Sequence, residues 1–266
     1  MPARVFPGLP GEWPRAMGGL SDPVLMAARQ TTRNGRCALK ISTARKGPVR
    51  SMASACSPHD LSLIDVAAKA AEREIDPACQ TARVTVRDVS AMLAYRLDPG
   101  EHVRRREAGM VAVTRLDWLH AMLGLPAGIP VRLNALSSCS QQIVEDLPPG
   151  CVQLSGKSVV RQLIRPLRVD LAVVTAESSD WQAGLHKAGA FSGYCTRILA
   201  IAGMPGNMPE ACTEAARYGV GLVVDADSSP ATAVPALRFK PSAHTAAGWR
   251  FAEQVYEEIA GHPDLI

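Results

Sequence analysis

No apolar run in these 266 residues approaches the ~20 that a helix needs to span a bilayer, so no membrane role is expected. No CxxC or CxxxxC pair occurs among the seven cysteines (Cys37, Cys56, Cys79, Cys139, Cys151, Cys195 and Cys212), which argues against a zinc ribbon or a redox dithiol. Their odd count, with no charged-then-apolar leader, points to reduced thiols in a cytoplasm. The six histidines are dispersed, and none pairs with a carboxylate or cysteine at ligand spacing. Charge of one sign is also scarce. The formal net charge of +4 permits a polyanionic partner without demanding one. Part of the excess of arginine over lysine is what a GC-rich genome yields, and is discounted as a nucleic-acid signal.

What is present is globular material. With 47% hydrophobic and 20% charged residues, the chain suffices for one large domain or two small ones. Residues 1–55 differ from the rest, being rich in Pro, Gly, Arg, Ser and Thr without a sustained period. Such a stretch buries too little apolar area to offset its ordering entropy. Two readings stay open there: a disordered tail, or a translation start at Met52 with the upstream stretch not native.

Residues 56–128 are expected to form a helical region. Ser57 suits an N-cap, Pro58 the first helical position, and Asp60 the helix's positive end. Leu63, Val66, Ala67 and Ala70 then form a stripe that Asp76-Pro77 stops. A second helix is expected over Arg87–Leu97, ended by Asp98-Pro99-Gly100. A third is expected over Arg115–Leu123, with Thr114 and Asp117 at capping-box spacing and Gly124 beyond its end. Residues 85–109 resemble the first half of a helix-turn-helix, carrying the arginine cluster Arg104, Arg105 and Arg106. The alternative is a solvated basic surface.

Leu125–Pro130 (LPAGIP) reads as a hinge into an α/β part, residues 129–266. A short helix over Ser138–Asp146 precedes strands over Cys151–Leu154 and Ser158–Ile164, which flank the turn Ser155-Gly156-Lys157. The organising stretch is 168–202. Val169–Val174 is a solid apolar run, as in a strand buried on both faces. A polar break (Glu177-Ser178-Ser179-Asp180), a segment of helical spacing and a second solid run, Ile198–Ala202, follow. That sequence of elements is the mark of a parallel pair with a helical crossover. A helix over Met208–Tyr218, a strand over Val220–Val224, a loop over 226–235 and a last helix capped by Ser242 complete the chain. The fold class expected is α/β, a mixed sheet flanked by helices.

Several candidate motifs carry little chemistry. GKS at 156–158 lacks the earlier glycine of a phosphate loop, since Cys151 stands there, and a hairpin turn is preferred. Trp181, Leu185 and Ala188 are expected in the core and His186 at the surface. Asp225 and Asp227 share one strand parity, and are expected to end the strand and solubilise the loop.

The run VVTAESSDWQAGLHKAGAFSGYCTRILAIA, followed by EACTEAARYGVGLVVDAD, resembles the PD-(D/E)XK phosphodiesterase superfamily over residues 150–227. In that family a strand bearing an acid, a spacer and a lysine runs into a polar break. Many members continue with Ser-Asp-Trp, a helix, a strand, a further helix and a strand. Counting back from Ser179-Asp180-Trp181, the family's acidic position falls on Thr175 and its lysine position on Glu177, with Asp170 standing in for the family's aspartate. The resemblance implies a restriction-endonuclease-like sheet with a degenerate motif, because Thr175 lacks the charge a hard divalent cation prefers. Asp170 and Glu177 are seven residues apart, so at ~3.3 Å per residue a regular strand holds them about 23 Å apart and on opposite faces.

The function expected is a catalytically degenerate, nuclease-like protein without a cofactor, binding DNA or an assembly on DNA. Arg104, Arg105, Arg106, Arg161, Arg165 and Arg168 would contact phosphate. Two alternatives are an active nuclease holding Mg²⁺ through Asp170 and Glu177, and a regulatory partner-binding domain with no nucleic-acid role.

Overall fold

Ser57 starts the first helix, α1 (Pro58–Ala70), as its position predicts. Its hydroxyl accepts from the Asp60 amide, and the Asp60 carboxylate accepts in return from the Ser57 amide. The computed structural model describes residues 53–71, 79–226, 229–241 and 243–262, all within one compact unit, Pro48–Ile266. The expectations for residues 1–52, for Asp76-Pro77, for Asp227 and for the Ser242 cap lie outside the described residues. The expected tail ends earlier than residue 55, because Ser54 exchanges both backbone hydrogen bonds with Arg83 at 2.9 Å.

Where a helix was expected over Arg87–Leu97, the chain forms a hairpin of β1 (Gln80–Val86) and β2 (Val89–Leu97). Arg87 and Asp88 take φ of 57° and 62°, the two-residue turn whose twist matches a hairpin. β2 lies inside the sheet, so Ala91–Tyr95 are all buried. A run buried on both faces carries no period that separates strand from helix. The helix-turn-helix resemblance falls with that helix. Asp98-Pro99-Gly100, expected to end a helix, begins one instead. Asp98 caps α2 (Pro99–Glu107), accepting from the Glu101 amide at 2.9 Å.

An excursion of helices and a small sheet follows: α3 (Leu116–Leu123), β3 (Pro130–Arg132), α4 (Ser138–Glu145), β4 (Val152–Ser155) and β5 (Ser158–Arg161), with the strands in the antiparallel order β3-β5-β4. Thr114 does not cap α3; Arg115 holds that position and pairs with Asp117. Gly156, at φ 58°, makes the β4–β5 turn, so GKS sits in a hairpin. The excursion closes on itself where the Asp98 amide donates to the Pro166 carbonyl at 2.8 Å.

The second half runs β6 (Leu167–Glu177), α5 (Trp181–Gly189), β7 (Thr196–Ala202), α6 (Met208–Arg217), β8 (Gly221–Ala226), β9 (Ser229–Val234) and α7 (Ala246–Ala260). The main sheet has the order β1-β2-β6-β7-β8-β9, parallel through β6-β7-β8 and antiparallel elsewhere. The α/β mixed sheet is as expected, but β1 and β2 belong to it, so the boundary expected at 128/129 does not divide it. β9 replaces most of the expected loop over 226–235; Pro230 is tolerated there because β9 is an edge strand.

Helices cover both faces. On one, Leu63, Ile64 and Ala67 of α1 pack on Met92, Leu171, Val173, Ile198 and Val223. On the other, Trp181, Leu185 and Ala188 of α5 and Phe251, Val255 and Ile259 of α7 pack on Leu93, Val174, Leu199 and Leu222. Gly184 lets α5 lie close: a Cβ there would come within 2.6 Å of the Ala176 Cβ and 2.7 Å of a Leu199 methyl. Among the described residues no helix is long and apolar enough to cross a membrane.

Candidate functional site

The parallel strands bring their carboxyl ends to one edge, the place where open α/β sheets hold ligands. There Glu177 of β6 is in register with Ala202 of β7, and Ala202 with Asp225 of β8. Strands lie ~4.8 Å apart, so the Glu177 and Asp225 backbones stand roughly 10 Å from each other in one row. After Glu177 a short 3₁₀ turn, Ser178–Asp180, leads into α5. The amino end of α1 and Arg83 of β1 close the other side. Between them opens a cleft of about 650 Å³ lined by, among others, His59, Asp60, Arg83, Thr175, Glu177 and Asp225.

Two polar links order this cleft. His59 Nε2 meets Asp225 Oδ2 at 2.7 Å, joining α1 to β8, and the Asp225 side chain is only 12% exposed. Among the described residues, Asp225 Oδ1 is buried without a hydrogen-bond partner. Arg83 Nη2 donates to Asp60 Oδ1 at 2.6 Å, joining β1 to α1. Burial pushes the Asp60 carboxyl up, but the Ser57 amide and the Arg83 guanidinium outweigh it and hold the pKa below the ordinary carboxylate value. The cleft wall carries four carboxylates (Asp60, Glu177, Asp180, Asp225) against two fixed cations (Arg83, Lys187), an excess of two negative charges before His59 is counted. Even so, among the described residues no group of three or more His, Cys, Asp or Glu is arranged to hold a metal ion.

Of the expected catalytic residues, Thr175 and Glu177 line this cleft, both exposed, and Asp170 does not. Asp170 is buried near the other end of β6 and ion-paired to Arg96 at 2.9 Å and to Arg168 at 3.0 Å. A bulge does occur here, contrary to the regular strand expected: β2 pairs Ala94 with Leu171 and Tyr95 with Val169, skipping Asp170. It lies beside Asp170 itself, and pairing with β7 runs unbroken from Leu171 to Glu177. Six steps of ~3.3 Å still keep the two carboxylates roughly 20 Å apart.

The six arginines divide sharply. Arg105 is fully buried, bonded to Glu253 at 2.7 and 2.8 Å, to Glu101 at 2.7 Å and to the Ile164 carbonyl at 3.1 Å, so it reaches no phosphate. Arg104 grips both oxygens of Glu101 at 2.8 Å and donates to the Gly150 carbonyl. Arg161 lies over the Trp249 ring, 5.3 Å from its centre, and donates to the Met122 carbonyl. Arg106 and Arg168 are exposed and Arg165 is half-buried. Sequence showed Arg104–Arg106 as a surface cluster because Glu253, the residue that draws Arg105 inward, is 148 positions away.

The cleft residues not foreseen as a group are His59, Asp60, Arg83 and Lys187. Asp60 was legible only as a helix cap, and Asp225 only as a strand end. No protein-family model matches the chain, and neither a curated protein nor a solved structure matches it.

Proposed function

We propose that the chain is a catalytically degenerate, nuclease-like protein that binds DNA or an assembly on DNA. The observation that carries this reading is the end of β6. Thr175 and Glu177 stand over the carboxyl-edge cleft at the positions where the family resemblance calls for an acid and a lysine. A threonine hydroxyl is a poor ligand for a hard cation, and no lysine follows it on the strand to stabilise a phosphorane-like charge. The order β6-α5-β7-α6-β8, with Ser179-Asp180-Trp181 at the strand-to-helix turn, supports the same reading. The negative excess of the cleft turns a phosphate backbone away from it, so DNA is bound elsewhere, through exposed or half-buried arginines such as Arg106, Arg165 and Arg168.

A gel-retardation assay with duplex and single-stranded DNA, with and without Mg²⁺ or Mn²⁺, tests this. Binding without cutting, weakening steeply with salt, is the expected result. Cutting that Glu177→Ala abolishes would make the chain an active nuclease. Neither binding nor cutting would leave a partner-binding domain with no nucleic-acid role.

A further inference from the structure

α5 and α6 pack side by side on one face of the main sheet, and a trough of about 420 Å³ runs between them. Its floor is apolar. Leu185 of α5 and Val220, just before β8, are buried there, and Trp181 flanks them at the start of α5. Gly189, the last residue of α5, leaves the trough open: a Cβ there would meet nothing within 4 Å.

The charged groups of the trough are few and stand in a fixed order. Arg197 of β7 is half-buried at one end, and its guanidinium donates to the Tyr218 carbonyl, just past α6, at 2.8 Å. Among the described residues no carboxylate pairs with Arg197. Burial holds its pKa below the ordinary guanidinium value. Glu210, Glu214 and Tyr218 follow one another at every fourth residue, so they share one face of α6 at ~6 Å intervals. The two carboxylates therefore stand one turn and two turns up the trough from the Tyr218 end, where Arg197 is held. Their own partners are at the surface. Glu214 meets exposed Arg217 at 3.7 Å, a solvent-screened contact, and Glu210 accepts from the Asn207 side chain at 2.8 Å.

A cavity of ~300–1,000 Å³ with an apolar lining and a few placed polar groups is the usual form of a small-molecule site. The order of charge restricts what fits this one. A simple anion on Arg197 would face Glu214, and a simple cation on Glu214 would face Arg197. A molecule bearing both a carboxylate and an ammonium answers both, with an apolar remainder lying on Leu185 and Val220.

We propose that the trough between α5 and α6 binds a small zwitterion, an α-amino acid with an apolar side chain, its carboxylate on Arg197 and its ammonium on Glu214. The trough shares no lining residue with the carboxyl-edge cleft, and the inference does not rest on the DNA reading.

Isothermal titration of the full chain with L-leucine tests the site. The wild-type chain should bind it. Leucinamide, which lacks the carboxylate, and 4-methylpentanoate, which lacks the ammonium, should each bind at least about tenfold more weakly. Arg197→Gln should weaken L-leucine binding by a similar factor. Because Arg197 also anchors the end of α6, Glu214→Gln supplies a second variant that spares that contact, with the same loss expected. If L-leucine does not bind, L-methionine and L-phenylalanine are the remaining probes, and binding of either with the same dependence on Arg197 and Glu214 upholds the site. Failure of all three overturns the proposal. So does equal binding by wild type and both variants, or leucinamide and 4-methylpentanoate binding as tightly as L-leucine, which would leave the trough merely apolar.

Discussion

Arg105 and Glu253 meet as a bidentate pair at 2.7 and 2.8 Å, and neither side chain is exposed at all. Glu253 also accepts from the Trp249 indole at 2.9 Å and from the Val113 amide at 3.0 Å, so the pair pins α7 to the excursion that follows β2. Removing one partner leaves a charge buried and partly unanswered, which typically costs about 3–5 kcal/mol. Glu253→Gln should therefore lower stability by about that amount in urea unfolding. The double variant Arg105→Met with Glu253→Gln, which keeps an acceptor for the Trp249 indole and the Val113 amide, should recover part of it. A double variant as unstable as the single would show that the stranded charge of Arg105 is not what destabilises it.

The β1–β2 turn offers a gain. Asp88 holds φ at 62°, a conformation that an L side chain adopts at a cost and glycine adopts freely. Arg87, the other turn residue, is engaged with the Ala190 carbonyl and the Tyr194 ring and is best left alone. Asp88→Gly should raise stability by about 0.5–1 kcal/mol, read as a higher urea midpoint with an unchanged slope. A lower midpoint would mean that the Asp88 side chain contributes more than its backbone strain takes away.

The clasp between Asp60 and Arg83 makes an acid-sensitive contribution. The Asp60 carboxyl titrates lower in the folded chain than in the unfolded one. Its contribution is therefore complete above the unfolded carboxylate value near ~4, and is lost as pH falls through the lower folded value. Arg83 is one-third exposed, so its share is modest, about 1 kcal/mol. Arg83→Met should cost about that much at pH 7 and less at pH 3, where protonation of Asp60 has begun to remove the pair. An equal loss at both pH values would show that the arginine acts through packing alone.

How far the sequence could be read depends on where each signal comes from. The solid runs at Val169–Val174 and Ile198–Ala202 mark β6 and β7 because a strand between two helical layers is apolar throughout. Ser57 marks α1 because a cap is local chemistry. The same logic misleads at Ala91–Tyr95, where an apolar run in an inner strand looks as helical as it does extended. β9 left little trace, since Pro230 and its small residues outweigh its two β-branched side chains, Thr232 and Val234. The cleft is hardest of all to foresee. His59 and Asp225 are 166 residues apart, and only the fold of α1 over β8 joins them.

The neighbouring strands at the heart of the sheet are far apart in the chain. Leu97 of β2 pairs with Leu167 of β6, about 70 residues on. Closing such a gap through a flexible chain carries an entropy penalty of about 4 kcal/mol before any strand contact rewards it. Once the excursion is folded, the Asp98–Pro166 hydrogen bond holds its two ends together, and the effective loop shrinks to that of a tight hairpin. Any order of events in which residues 98–166 fold before β6 docks lowers that penalty and lets β6 arrive beside β2 already aimed. The excursion is in this sense a clamp as well as a loop: its closed ends set β2 and β6 side by side.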